Sequence, residues 1–151
     1  MHSRSVKVYS ILKHYDVPNI DQLHSWNRGK CQKLFEPRGG HKKPSTMHEL
    51  FGSLHDICEA LIKLHAASWM NRDIRWKHVI KRRGDANSWF LIDFMDAAES
   101  PQPKSSGQHL SCNNHAHEIF NEDIHTTAVD IWSIGYLITS SGKTGKIGLN
   151  F

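Results

Sequence analysis

The chain has 151 residues, 38% hydrophobic and 23% charged, with a formal net charge of +4 and a pI near 9.0. This composition predicts one soluble globular domain with a modest core. No stretch approaches the roughly 18 to 20 apolar residues of a membrane helix, which argues against an integral membrane protein. The basic residues are scattered and no RNA-binding motif accompanies them, so the positive excess does not predict a nucleic-acid partner.

Cysteine usage and the start of the chain bear on the cellular compartment. The three cysteines lack the spacing of a disulfide framework, and no apolar leader opens the sequence. Both features argue against a disulfide-stapled secreted domain. They predict a reducing intracellular compartment, the cytoplasm or the nucleus.

The first third of the chain predicts a helix, a turn and two strands. Residues 1–15 carry a short apolar pattern typical of the end of a helix. Pro18 then favours a turn, because proline removes a hydrogen-bond donor and restricts the residue before it. Residues 20–26 and 31–35 predict two strands, and the Glu-Pro-Arg-Gly-Gly run at residues 36–40 predicts a loop.

The clearest helix of the sequence begins after Thr46. Thr46 and Glu49 form a capping-box pattern, in which the hydroxyl and the carboxylate each satisfy a free backbone N–H. From residue 47 to residue 65, apolar side chains recur at intervals of three and four. This pattern is typical of a helix with one face toward the core.

The second half of the chain predicts a hairpin, a long loop and a last helix. Residues 79–82 and 89–92 predict two paired strands, because turn residues separate two short apolar runs. Residues 97–114 are rich in Ser, Pro, Gln and Asn and contain few apolar residues, which predicts a mobile loop where Ser105 and Ser106 are candidates for phosphorylation. Residues 127–138 are apolar on nearly every face and predict a buried helix.

Four short motifs occur in order along this second half. They read N-R-D-I-R-W-K-H at residues 71–78, I-D-F-M at 92–95, A-H-E at 116–118 and D-I-W-S-I-G at 130–135. In that order they resemble the H-R-D-x-x-x-x-N catalytic loop, the D-F-G and A-P-E motifs and the D-x-W-S-x-G helix start of protein kinases. The chain therefore resembles the protein kinase-like superfamily, as a divergent and truncated member similar to fungal kinase-like families.

The resemblance implies a partial two-lobe kinase-like fold of the α/β (α+β) class. Residues 1–35 would be the end of the small lobe, residues 36–40 the hinge, and residues 45–139 the first half of a mostly helical large lobe. Residues 140–151 would form a flexible tail. Because a complete kinase domain is considerably longer than 151 residues, the resemblance implies a fragment or a shortened member.

The resemblance also implies roles for individual side chains. Asp73 would accept the proton of a substrate hydroxyl, and Arg75 would face the transferred phosphate. Asp93 would bind Mg²⁺. His78 stands where an Asn is expected, and its imidazole offers nitrogen to a metal that prefers oxygen, so one metal position is in question. Met95 replaces a Gly and lacks the freedom of Gly to adopt positive φ.

The resemblance is less complete in the segments that would bind the nucleotide. Backbone groups near Glu36 and Arg38 would meet the adenine of ATP at the hinge. The sequence contains no G-x-G-x-x-G loop, and Lys7 is too close to Pro18 to be the Lys that anchors ATP in kinases. Neither that Lys nor the helix Glu that pairs with it, expected near Val8, is present.

Three functions follow as alternatives from the sequence. The first is an ATP- and Mg²⁺-dependent phosphotransferase acting on Ser or Thr of a protein substrate. The second is a pseudokinase or kinase remnant that binds a partner protein through its exposed large-lobe surface. The third is a small metal-binding module built from Cys112, His115 and His117, whose spacing can supply three ligands. The oligomeric state is left open.

Overall fold

The structure, a computed structural model, describes residues 2–30, 32–84 and 87–142, with side chains from residue 6 onward. In this part of the chain four α-helices and nine short strands form a mixed α+β fold. The helices are α1 (His2–His14), α2 (Met47–Ala66), α3 (Glu118–Asn121) and α4 (Ala128–Ser140). The strands are β1 (Gln22–Asn27), β2 (Gln32–Glu36), β3 (Gly39–His41), β4 (Trp69–Met70), β5 (Val79–Arg82), β6 (Trp89–Leu91), β7 (Ala98–Glu99), β8 (Gln102–Pro103) and β9 (Ile124–His125).

The strands form four small antiparallel sheets. Their pairings are β1 with β2, β3 with β5 and β6 in that order, β4 with β7, and β8 with β9. The predicted first pair of strands and the predicted hairpin are therefore present, with ends shifted by one or two residues. The predicted start of the second strand, Cys31, lies outside the described residues.

The loop predicted at residues 36–40 is partly wrong, because its second half is strand β3. Gly39 pairs with Arg82 and His41 with Ile80. A Cβ atom at position 39 would lie 2.3 Å from the Lys81 carbonyl oxygen, so the glycine permits a backbone approach that other residues would block. The sequence pattern missed the strand because glycine is ordinarily a loop signal.

Helix α2 has the predicted cap and the predicted inner face. The Thr46 hydroxyl accepts a hydrogen bond from the Glu49 amide at 3.1 Å, while the Glu49 carboxylate accepts one from the Ser45 amide at 2.7 Å. The carboxylate therefore reaches one residue further back than in an ideal capping box. Phe51 and Ile62 belong to the predicted apolar pattern but are exposed. The buried apolar residues of this helix are Leu50, Ile57, Ala60, Leu61 and Leu64.

The main hydrophobic core lies between α1, α2 and the β5–β6 hairpin. It contains Leu12, Ile57, Ile74, Trp89 and Phe94, each no more than 1% exposed. A second, smaller cluster packs around α3 and the start of α4. Because Ile74 and Phe94 are core residues, the segments that carry Asp73 and Asp93 are attached to the main core by their immediate neighbours.

Two predictions about the second half of the chain are partly wrong. The mobile loop at residues 97–114 contains strands β7 and β8 and a 3₁₀ turn at Lys104–Gly107. Helix α4 is not buried all round, since Ile131 is 60% exposed. The first error arose because short strands held by non-local pairing leave little local pattern. The second arose because composition alone does not say how many neighbours a helix has.

The end of the described chain bears on two further expectations. The predicted tail begins at residue 140, whereas Ser140 is still the last residue of α4. Residues 143–151 lie outside the described residues. Among the helices described, none is long and apolar enough to cross a membrane.

Candidate active site

The candidate active site begins with the loop that joins β4 to the 3₁₀ turn at Trp76–His78. Asp130, a fully buried residue of α4, holds this loop from behind. Its two carboxylate oxygens accept hydrogen bonds from the backbone amides of Asn71 and Arg72, each at 2.8 Å. The ring Nε2 of His65 lies 2.9 Å from the same carboxylate. Three donors therefore compensate the burial of one carboxylate and fix the loop backbone.

Arg72 ties the loop to the segment that follows the second motif. Its side chain is 1% exposed, and its Nε donates to the Asp96 carbonyl at 2.6 Å. Its NH1 donates to the Ser106 hydroxyl at 2.8 Å and lies 3.3 Å from Nε2 of His125. Burial and the Arg72 charge lower the pKa of His125, which favours a neutral ring beside the guanidinium.

Asp73 lies at the centre of the site and is 5% exposed. Its amide donates to the side-chain oxygen of Asn71 at 2.9 Å. Its carboxylate lies 2.8 Å from Nε2 of His115 and accepts a hydrogen bond from NH2 of Arg75 at 2.8 Å. Burial alone would raise the pKa of Asp73, but the bonds from His115 and Arg75 and the charge of His78 outweigh it and lower the pKa. Asp73 is therefore held as a carboxylate.

His115 covers one oxygen of that carboxylate. The ring is 3% exposed, and its Nδ1 lies 2.6 Å from the Ser111 carbonyl oxygen. Both ring nitrogens of His115 thus face oxygen atoms that can accept a hydrogen bond. Because Nε2 is directed at Oδ1 of Asp73, a substrate hydroxyl could reach that oxygen only if His115 moved.

His78 connects Asp73 to Asp93. Its Nδ1 lies 2.8 Å from the Asp73 carbonyl oxygen, and its Nε2 lies 3.4 Å from Oδ2 of Asp93. Asp93 has a left-handed backbone with φ of 65°, and its side chain is 43% exposed. Met95 is not among the described residues with positive φ, so a Gly is not required there. The doubt that the sequence raised about Met95 therefore does not apply to this conformation.

The donor atoms fit a magnesium ion only in part. Asp93 offers an accessible carboxylate, the ligand that Mg²⁺ prefers. His78 offers a nitrogen, which Mg²⁺ accepts poorly. The oxygens of Asp73 are engaged by His115 and Arg75 and are not open for a metal.

The predicted hinge residues lie in a separate hollow. A cavity of about 440 Å³ is lined by Glu36, Arg38 and Arg82, together with Asn19 and Gln22. The structure thus brings Asp73, Arg75, His78 and Asp93 together by direct contacts, and it places Glu36 and Arg38 in a different group. Neither placement tests the roles predicted for these residues.

The residues of the predicted metal module are not gathered around one point. His115 is buried against Asp73, whereas Cys112 and His117 are exposed. In the ranges 2–30, 32–84 and 87–142, one group of three such ligand atoms lies within 4.8 Å of one another. It consists of His55, Asp56 and Glu59 on the surface of α2.

Sequence reasoning missed several residues that shape the site. It did not place His65 in this site, it assigned His115 to a metal-binding module instead, and it treated Asp130 only as the first letter of a motif. The match of Asp130 to that motif was an available signal for its importance. His115 left no usable signal, because its contact with Asp73 joins residues 42 positions apart.

Comparisons with known proteins agree with a kinase-like relation. No protein-family model matches the chain. Crinkler effector protein 8 of Phytophthora infestans is 46% identical over 147 residues, which cover 97% of this chain and 24% of that protein. Aurora/IPL1-related protein kinase 2 of Caenorhabditis briggsae and that of Caenorhabditis elegans are each 26% identical over 144 residues, which cover 89% of this chain and 46% of each kinase.

These relatives refine what the sequence motifs suggested. The chain spans about a quarter of the length of the Crinkler relative and slightly less than half of each kinase. None of the three is a fungal protein, so the suggested likeness to fungal families is not supported. The chain is therefore similar to a Crinkler effector along nearly its whole length and has a distant, kinase-like relation to Aurora-type enzymes.

Proposed function

We propose that this chain carries the catalytic and metal-binding segments of a protein kinase-like phosphotransferase, which transfers the γ-phosphoryl group of ATP to a Ser or Thr hydroxyl of a protein. The observation that supports this most is a continuous chain of contacts. Asp130 fixes the loop of Asp73, and His78 bridges from the Asp73 backbone toward Asp93. The imidazole of His78 therefore lies between Asp73, the acid proposed to meet the substrate, and Asp93, the acid proposed to meet a cation.

The chemistry assigned to these residues is modest, because phosphoryl transfer depends mainly on positioning and charge neutralisation. Asp73 takes the proton of the hydroxyl while the hydroxyl oxygen bonds to the γ-phosphorus and the bond to ADP breaks. Arg75, whose NH2 is 2.8 Å from Asp73, offers a fixed cation beside the transferred group. Asp93 would hold the divalent cation that accompanies ATP. Backbone groups at Glu36 and Arg38 would contact the adenine.

The setting of the reaction is part of the same proposal. ATP is an intracellular substrate, and the relative in Phytophthora infestans is named an effector. We therefore place the activity inside a cell, with a protein as the acceptor. A nucleic acid and a membrane are not proposed as partners.

Phosphate transfer from labelled ATP to the chain itself and to a general protein acceptor tests this function. Asp73→Asn should lower the transfer rate by about 100-fold or more, because it removes the proton acceptor. Asp123→Asn is the matched control, since Asp123 is exposed and lies outside the site. Equal rates in wild type and Asp73→Asn would contradict the proposal.

A second candidate function is a nucleotide- or partner-binding module without phosphate transfer. It is favoured by the engagement of both Asp73 oxygens and by the 5% exposure of this residue. Thermal unfolding separates the two candidates, because a ligand that binds only the folded state raises its stability. A rise in Tm with ATP and a divalent cation, without transfer, would favour the binding module.

A further inference from the structure

His78 presents an unusual donor at the cation side of the site. Its Nδ1 is 2.8 Å from the Asp73 carbonyl oxygen, which can only accept a hydrogen bond. Nδ1 therefore donates a hydrogen bond to this carbonyl. Nε2 then faces Oδ2 of Asp93, 3.4 Å away. A metal ion bound between these two atoms takes the place of any proton on Nε2, because metal binding releases the protons of its ligands.

The separation of these two atoms fits joint coordination of one metal ion. A metal about 2.1 to 2.2 Å from each atom would subtend an angle of roughly 105° between them, between the ideal octahedral and tetrahedral values. The hydrogen bond from His78 to a backbone carbonyl is also the usual way in which proteins orient a histidine ligand. His78 is 6% exposed and cannot turn away easily, whereas the exposed Asp93 can adjust.

From this donor set we infer that His78 and Asp93 form a site that selects a first-row transition-metal dication, such as Mn²⁺ or Co²⁺, over Mg²⁺. Mg²⁺ is a hard ion that requires oxygen ligands and exchanges its water reluctantly. An imidazole nitrogen suits first-row transition metals far better. The open side of Asp93 leaves coordination positions for water or for phosphate oxygens. Only this last role, toward a nucleotide, rests on the proposed function.

The contacts of the neighbouring groups support a two-residue site. The Asp73 carboxylate is taken by His115 and Arg75, so Asp73 contributes only the carbonyl that orients His78. The surface group at His55 is a competing location, because its ligand atoms are also close together. Any experiment must therefore distinguish His78 from His55.

Metal binding without nucleotide provides the test. Purified chain is titrated with Mn²⁺, followed by the electron paramagnetic resonance of the free ion, and with Co²⁺, followed by visible absorption that reports nitrogen ligation. Mg²⁺ is then added as a competitor. We expect one Mn²⁺ or Co²⁺ per chain and weak competition by Mg²⁺.

The decisive variants are His78→Asn and the control His55→Asn. His78→Asn should weaken Mn²⁺ and Co²⁺ binding by about 10- to 100-fold relative to Mg²⁺ and remove the nitrogen signature. The Asn side chain still offers a donor for the Asp73 carbonyl. As a second test, Asp93→Asn, at an exposed position, should abolish metal binding. His55→Asn should change nothing.

Three results would overturn the inference. They are no Mn²⁺ or Co²⁺ binding at millimolar concentration, loss of binding in His55→Asn, or an unchanged metal preference in His78→Asn. Because no nucleotide is present, failure of phosphate transfer does not affect this outcome. Conversely, a metal-binding chain without transfer would refute the phosphotransferase while leaving the metal site intact.

Discussion

Asp73 and Asp21 are buried to nearly the same extent, 5% and 6% exposed, yet the protein shifts their pKa values in opposite directions. Asp73 has cationic partners, and its pKa falls. Asp21 accepts hydrogen bonds from the Tyr9 hydroxyl at 2.8 and 2.9 Å, and burial together with the charge of Asp93 raises its pKa to about 7. Burial also raises the pKa of Tyr9.

The two aspartates show that charge in the surroundings, rather than burial, decides which form a buried acid takes. The corner between α1 and β1 tolerates Asp21 by keeping its proton. The loop of Asp73 keeps its carboxylate ionised. Hydrogen bonds from the loop amides to Asp130 hold the backbone of this loop in place. Asp73 is thereby held in the ionised form that a proton acceptor requires. The following variants test this contrast.

The largest expected effect is the loss of the Asp130 anchor. Asp130→Ala leaves the amides of Asn71 and Arg72 and the ring of His65 without their acceptor in a buried place. We expect a loss of about 3 to 5 kcal/mol in the free energy of unfolding, measured by urea denaturation. Asp123→Ala, at an exposed position, should change stability by no more than about 0.5 kcal/mol. A loss in Asp130→Ala as small as that of the control would contradict the anchoring role.

The next effect concerns Asp21 and is a dependence of stability on pH. Above about pH 4 the unfolded carboxyl group loses its proton, whereas the folded one retains it to about pH 7. The unfolded state then binds fewer protons, so stability falls as the pH rises through this window, by up to about 4 kcal/mol.

Urea unfolding of the wild type and of Asp21→Asn across this pH range measures the effect. The stability of the wild type relative to Asp21→Asn should decrease from pH 4 to pH 7, because the amide does not titrate. Asp123→Asn should follow the wild-type profile. Parallel profiles for the wild type and Asp21→Asn would show that Asp21 ionises normally.

The smallest of the three effects comes from removing the ring that covers Asp73. His115→Ala should cost about 2 kcal/mol, since a hydrogen bond to a charged group is lost. The pKa of Asp73 should rise, because one of the groups that lowers it is gone. Stability that depends on ionised Asp73 is present above about pH 4 and is lost as the pH falls, so the variant should lose less in acid.

Carboxyl ¹³C NMR titration measures the pKa of Asp73 directly, with Asp73→Asn to assign the signal. His117→Ala is the matched control, because His117 is two residues away and exposed. If His115 restricts substrate access, His115→Ala should also increase phosphate transfer. An unchanged pKa of Asp73 in His115→Ala would contradict the contribution of the His115 hydrogen bond.

The sequence allowed several elements to be predicted because their signals are local. Helix α2 was predictable from its Thr46 cap and its apolar spacing, and the β5–β6 hairpin from turn residues between two short apolar runs. Strand β3 was missed, since Gly39 reads as a loop residue unless its partner strand is known. Strands β7 and β8 were missed because strands of two residues show no alternating pattern.

The candidate site shows the same division between local and non-local information. Asp73, Arg75, His78 and Asp93 could be proposed from short motifs, and the structure brings them into direct contact. The covering of Asp73 could not be predicted, because His115 comes from a distant segment. Its ring reaches Asp73 only after the chain has passed through β7, β8 and a 3₁₀ turn.

The order of the motifs, the main helix and the acids at residues 73 and 93 could all be recognised in the sequence alone. These depend on composition and spacing, which act over a few residues. The opposite pKa shifts of Asp21 and Asp73 and the directions of the His78 and His115 rings arise only in the folded protein. Those properties depend on which groups lie within a few ångströms, and folding brings such groups from separate parts of the chain.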